Sequence, residues 1–154
     1  MRFGRVLSIL PVLLVSCGSK GAVSLTVDIP QAVLQVQESP LDGAVVSGSF
    51  DLLLTLGGES SGSTTVTPGN FSLQTESGAP LVPLLSVQKD TNFPLVIDKG
   101  ASRTVTFTLT GDGVVRDQVC PGPVRIVGSV MDTLKNGTDP VTSRLITPTC
   151  VPTT

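Results

Sequence analysis

Phe50, Leu52, Leu54 and Leu56 recur at every second position, with Ser49, Asp51 and Thr55 between them. A period of two sends these sets to opposite sides of an extended chain and fits no helix, whose faces repeat about every 3.6 residues. The pattern returns in Val23, Leu25, Val27 and Ile29, spaced by Ser24, Thr26 and Asp28. It returns again where Ser102, Thr104, Thr106 and Thr108 alternate with Arg103, Val105, Phe107 and Leu109. Each such segment is a half-buried strand that needs neighbours along its edges and a second layer over its apolar face. Arg103, at a strand end, is expected to keep its guanidinium in solvent.

Between these runs the turn residues set the spacing. Ala32 to Gln37 reads as a weaker strand after Pro30, closed by Ser39-Pro40. Thr64 to Thr67 reads as a short edge strand ending at Pro68-Gly69, and Phe71 and Leu73 open another that stops at Ser77-Gly78. Leu81 to Val87 is apolar but holds Pro83, which suits an edge because proline cannot donate to a ladder. Phe93 to Ile97 is a further short strand before the Asp98-Lys99-Gly100 turn. Val124 to Met131 and Val141 to Ile146 flank Asn136-Gly137, a strong hairpin signal because both residues tolerate positive φ. Valine, leucine and threonine dominate, and histidine, tryptophan and tyrosine are absent. The expected fold is all-β, a single antiparallel sandwich of about seven to nine strands over residues 23–154.

Asn70-Phe71-Ser72-Leu73 through Gly78, followed by Gly100-Ala101-Ser102-Arg103-Thr104-Val105-Thr106-Phe107, resembles the immunoglobulin-like, telokin-like modules of many bacterial lipoproteins. The likeness lies in a Phe-x-Leu strand, a glycine turn and a Gly-x-Ser-x-Thr strand ending in Phe. It covers about a quarter of the chain and implies an immunoglobulin-like sandwich without implying an activity. The core tryptophan and corner tyrosine of antibody domains are missing.

The first residues read as an address. Arg2 and Arg5 give a positive start, and Val6 to Val15 form an apolar run too short for a span of about twenty residues. Behind it, Leu14-Val15-Ser16-Cys17 resembles the lipobox of bacterial lipoprotein signal peptides. That resemblance implies cleavage before Cys17 and lipidation of its thiol, with residues 1–16 removed and 17–22 forming the anchor and a short linker. More than one acyl chain gives a stable anchor, at about 0.8 kcal/mol per buried CH₂. Gly18 after the cysteine favours outer-membrane sorting in a host with two membranes, by the same resemblance.

Loss of Arg2 and Arg5 leaves 8 basic residues of the original 10 against 12 acids. An acidic domain without a basic cluster has no electrostatic footprint for nucleic acid. Cys120 and Cys150 remain as an even pair in an oxidising compartment and are expected to form a disulfide, brought together at the open end of the Asn136-Gly137 hairpin.

Catalytic patterns fail on chemistry. Gly58-Glu59-Ser60-Ser61-Gly62 has the spacing of a serine nucleophile elbow, but the chain contains no histidine to take the proton. Ser86-Val87-Gln88-Lys89 matches a Ser-x-x-Lys pair that works at the start of a helix, whereas here it follows a strand-like run and lacks a Lys-Thr-Gly partner. Asp51 with Glu59 is a carboxylate pair of undefined geometry. Transition-metal sites are not expected without histidine. Asp112, Asp117, Asp132 and Asp139 match no calcium-loop spacing and read as turn aspartates, so no metal and no cofactor are expected. The expected function is that of a membrane-anchored, non-enzymatic module binding an envelope or surface protein, with Gly57 to Ser63 and Pro121-Gly122-Pro123 as contact surfaces. The alternative is a small-ligand carrier, or an accessory subunit of a surface enzyme, with a pocket between the sheets.

Overall fold

The computed structural model describes residues 24–39, 43–120 and 122–151. Cys17 and the expected signal segment therefore lie outside the described residues. In chain order the elements are β1 (Leu25–Ser39), β2 (Gly43–Leu56), β3 (Thr64–Thr75), β4 (Pro80–Val82), β5 (Ser86–Lys89), β6 (Leu95–Ile97) and β7 (Ser102–Val114). A single helical turn, α1 (Arg116–Val119), leads to β8 (Val124–Asp132), β9 (Gly137–Thr142) and β10 (Thr149–Cys150). One sheet has the order β10-β1-β2-β7-β5, and the other β4-β3-β8-β9 with β6 also on β3. The chain forms the all-β sandwich that the alternation requires. Every pairing between these strands is antiparallel except β1 with β10, which is parallel.

Several expected boundaries shift, each for a local reason. Pro30 does not end a strand, because the β1–β2 register shifts between Asp28 and Gln31 and the ladder resumes beyond it. A bulge absorbs the residue that cannot donate. Likewise Thr64–Thr67 and Phe71–Thr75 are one strand, with a register shift between Pro68 and Phe71. The Leu81–Val87 run divides at Pro83: β4 is an edge of one sheet, and β5 is an edge of the other. The β8–β9 ladder closes at Asp132 opposite Gly137, so the turn is Thr133–Asn136, with Asn136 at φ 50°. Asn136-Gly137 is thus the end of a four-residue turn rather than a two-residue hairpin.

Alternation becomes core. Phe50, Leu52, Leu54 and Leu56 of β2 and Val105, Phe107 and Leu109 of β7 are buried, facing Val66, Phe71, Leu73, Ile126 and Val130 of the other sheet. Phe50 and Phe107 are direct cross-strand partners and their rings stack at 5.0 Å between centroids. Phe71 crosses from the opposite layer and meets them at 4.9 and 5.5 Å. Its own cross-strand partner is Gly128. A Cβ built there would stand 2.2 Å from the Phe71 ring, so the glycine is the space in which the ring lies. Interiors packed at crystal-like density leave nowhere for that ring to retreat.

Disulfide Cys120–Cys150 is present, although not as a closure of the β8–β9 hairpin. It joins the residue after α1 to β10, which has left the β8 side and added itself to β1.

Substituting Gly128→Ala should lower the unfolding free energy by about 1–3 kcal/mol through overpacking against Phe71. Gly62→Ala, where an added Cβ meets nothing within 4 Å, should stay within about 0.5 kcal/mol. Urea denaturation followed by far-UV circular dichroism measures both.

Candidate protein-interaction edge

The residues singled out for chemistry are not assembled into a catalytic site. Ser60 is buried and its hydroxyl donates to the Gly62 carbonyl at 3.0 Å, closing the turn after β2. Ser86 and Lys89 lie on strand β5, where positions three apart face opposite ways. Lys89 instead sits 4.8 Å from the Phe93 ring centre. Asp51 accepts the Thr106 hydroxyl on the exposed face of its sheet, at 2.8 Å. Glu59 lies beyond the end of β2, and the five residue steps from Asp51 to Leu56 already span about 17 Å.

The four aspartates separate to opposite ends. Asp112 and Asp117 flank the end of β7 near α1, while Asp132 and Asp139 sit at the β8–β9 turn end. Asp132 is buried and its Oδ1 accepts from the Thr64 hydroxyl and from the Leu134 amide at 2.9 Å. The Thr133 hydroxyl accepts the Thr65 amide at 2.9 Å beside it. These bonds tie the β8–β9 turn to the start of β3. Asp139, on β9, is ion-paired with Lys135 of the turn. Among the described residues no group of three or more potential ligands is placed to hold a metal ion.

What the described residues do leave open is one side of β1. Along its inner side β1 is paired with β2 from Leu25 to Ser39. On its outer side, among the described residues, it pairs with β10 at Gln35 and Val36 alone. The reason lies in the path of the chain after β9. Ser143 donates its amide to Ile126 at 2.9 Å, and Ile146 exchanges bonds with Val124 at 2.9 and 2.8 Å, so this stretch stays beside β8. Only past Pro148 does the chain cross to the other sheet, where Val151 donates to the Val36 carbonyl at 2.9 Å. Among the described residues the upstream half of β1 has no ladder partner on that side. Between Ile29–Val33 and Ser143–Thr147 runs a groove of about 450 Å³.

Strand alternation fixes what that groove presents. The Val36 carbonyl points to β10, so the main-chain groups of Leu34 and Ala32, two and four residues earlier, face the same outer edge. Those of Val33 face β2: a Cβ built at Gly48 would lie 2.0 Å from the Val33 oxygen. Apolar side chains rim the groove, with Val33 67% and Leu145 47% exposed. Arg144 is the charged residue of the lining, and its guanidinium has no ion pair among the described residues. Unpaired edge groups beside exposed apolar side chains are a template for an added strand. Pro30, with no N–H to offer, bounds that template upstream.

The two expected contact surfaces fare differently. Gly57–Ser63 is a compact turn held by Ser60. Gly122 and Pro123 lie beside the disulfide, and Pro121 is outside the described residues.

No family model and no curated protein matches this chain. Among solved structures it is similar to self-complemented MyfA, the major subunit of Myf fimbriae from Yersinia enterocolitica, in complex with galactose. That similarity is 15% identity at a TM-score of 0.40, over 82% of this chain and 98% of the other. A second structure of the same subunit gives 17% identity at 0.38, over 81% and 98%. At these scores the likeness assigns no role to any residue.

The edge geometry predicts a contrast between neighbours. Ala32→Pro removes an amide that faces the groove and should change stability by less than about 1 kcal/mol. Val33→Pro removes a ladder bond to β2 and should cost at least about 2 kcal/mol. Thermal and urea unfolding of the pair tests which way each residue points.

Proposed function

We propose that this chain is a lipid-anchored envelope protein, tethered through Cys17, whose non-enzymatic β-sandwich binds a partner protein by accepting an extended segment along the open edge of β1. The observation that carries this reading is the groove between Ile29–Val33 and Ser143–Thr147, where strand-edge groups and exposed apolar side chains stand together. Main-chain bonds along such an edge supply affinity, and side chains packed on Val33 and Leu145 supply selectivity. The Arg144 guanidinium, without an ion pair among the described residues, favours a segment carrying a carboxylate near its seat. The acidic composition, with 12 acids among the residues after the signal, steers the domain away from anionic headgroups and nucleic acid.

A carrier with a ligand between the layers has less support. The middle of the sandwich is filled by Phe50, Phe71 and Phe107 in mutual contact.

The test is site-specific photo-crosslinking in the native host, with the photoreactive residue at Val33 or, as control, at Thr108 on the exposed face of β7. The expected result is a discrete adduct from Val33, absent from Thr108, and lost when Ala32→Pro is added. Equal adducts from both positions, or none from Val33, would overturn the edge as the binding surface. Cys17→Ala should release the protein from the membrane fraction and remove the adduct.

A further inference from the structure

The edge of β1 already has one occupant. β10 contacts it through two registered residue pairs, Gln35 with Thr149 and Val36 with Cys150. Among the described strands it is the one paired in parallel, and the shortest. The two ends of the disulfide are anchored unequally. Cys120 follows Val119, which is fully buried, and Val114 is buried a few residues earlier. Cys150 lies in a segment whose Thr149 is exposed and whose Val151 is only half-buried. Upstream, the chain is bonded to β8 through Ile146 and then leaves that sheet. Beside its two-residue pairing to β1, the packing of Cys150 on the core and buried Pro148, the disulfide is the covalent tie on β10.

We infer that Cys120–Cys150 is a redox latch: its reduction releases β10 and lengthens the open edge of β1 from Ala32 through Val36. A dithiol reductant supplies the two electrons. One of its thiolates attacks the Cys150 sulfur and expels Cys120 as a thiolate, which takes up a proton. The second thiol of the reductant then displaces Cys150 as a thiol and leaves the reductant as its own disulfide. Both cysteines are half-buried, packed on the rim of the core. In the oxidised chain the outward-facing groups of Val36 are engaged by β10. In the reduced chain they join those of Ala32 and Leu34 as one continuous edge. That this longer edge receives more of a partner strand rests on the proposed function above, whereas release of β10 does not.

The experiment is hydrogen–deuterium exchange on the folded protein, resolved by NMR, before and after reduction with dithiothreitol and capping of both thiols, verified by intact mass. The expected result is at least tenfold faster exchange at the Val36 and Val151 amides, with Phe50 and Val105 unchanged. Cys120→Ser/Cys150→Ser should reproduce it without reductant. Unchanged protection at Val36 and Val151 overturns the latch. Equal acceleration at Phe50 and Val105 overturns it too, since the bond would then hold the whole domain. No partner is needed for any of these outcomes, so loss of the latch and loss of the binding reading are told apart.

Discussion

The contact of Phe71 with Phe50 and Phe107 sets the distance between the two sheets, and the rest of the molecule is arranged around it. Two of the rings come from adjacent strands of one layer and the third from the facing layer. With no tryptophan or tyrosine in the chain, this cluster carries the bulk that larger aromatics supply elsewhere. It requires Gly128 beneath Phe71, which requires the β3–β8 register, which places Asp132 beside Thr64. A slip of one residue would turn every one of these side chains to the wrong face.

Much of this was legible in the sequence where one face of a strand is buried. Phe50, Leu52, Leu54 and Leu56 announce both the strand and the side it turns inward, and Val105, Phe107 and Leu109 do the same. Legibility failed where backbone geometry, not burial, decides. Pro30 and Pro68 look like strand ends, but bulges carry the ladder past them, and a bulge has no composition of its own. Asn136-Gly137 looks like a two-residue turn, but Asp132 and Thr133 bond across to Thr64 and Thr65 and draw the turn back by several residues. Those contacts lie about seventy positions away in the chain and leave no local trace.

The open edge was equally hidden, because it arises from a route rather than a motif. Val141 to Ile146 carries apolar residues enough to read as a full strand, yet beyond the end of β9 the described bonds back to β8 are those of Ser143 and Ile146. The chain then changes sheets. The signal for that change is modest: Ser143 and Arg144 interrupt the alternation, and Pro148 prevents the strand from continuing. Elsewhere the edges are guarded. β5 ends in Lys89, β4 begins with Pro80, and β9 contains Pro140. Charges and prolines at these places are the usual means of keeping edges from pairing with other chains. The stretch of β1 between Pro30 and Gln35 has neither, and Val33 stands exposed in it.

Parallel pairing of β1 and β10 also decides how the molecule bears tension. β1 enters near the first described residue and β10 leaves near the last, both running the same way. A pull between the two ends therefore loads their shared bonds in shear, where they resist together rather than opening one after another. The disulfide short-circuits the route that force takes. Load reaching Cys120 passes directly to Cys150, so β8, β9 and the turn between them are bypassed. While the bond is intact, the thirty-residue separation it spans contributes nothing to the extensible length of the chain.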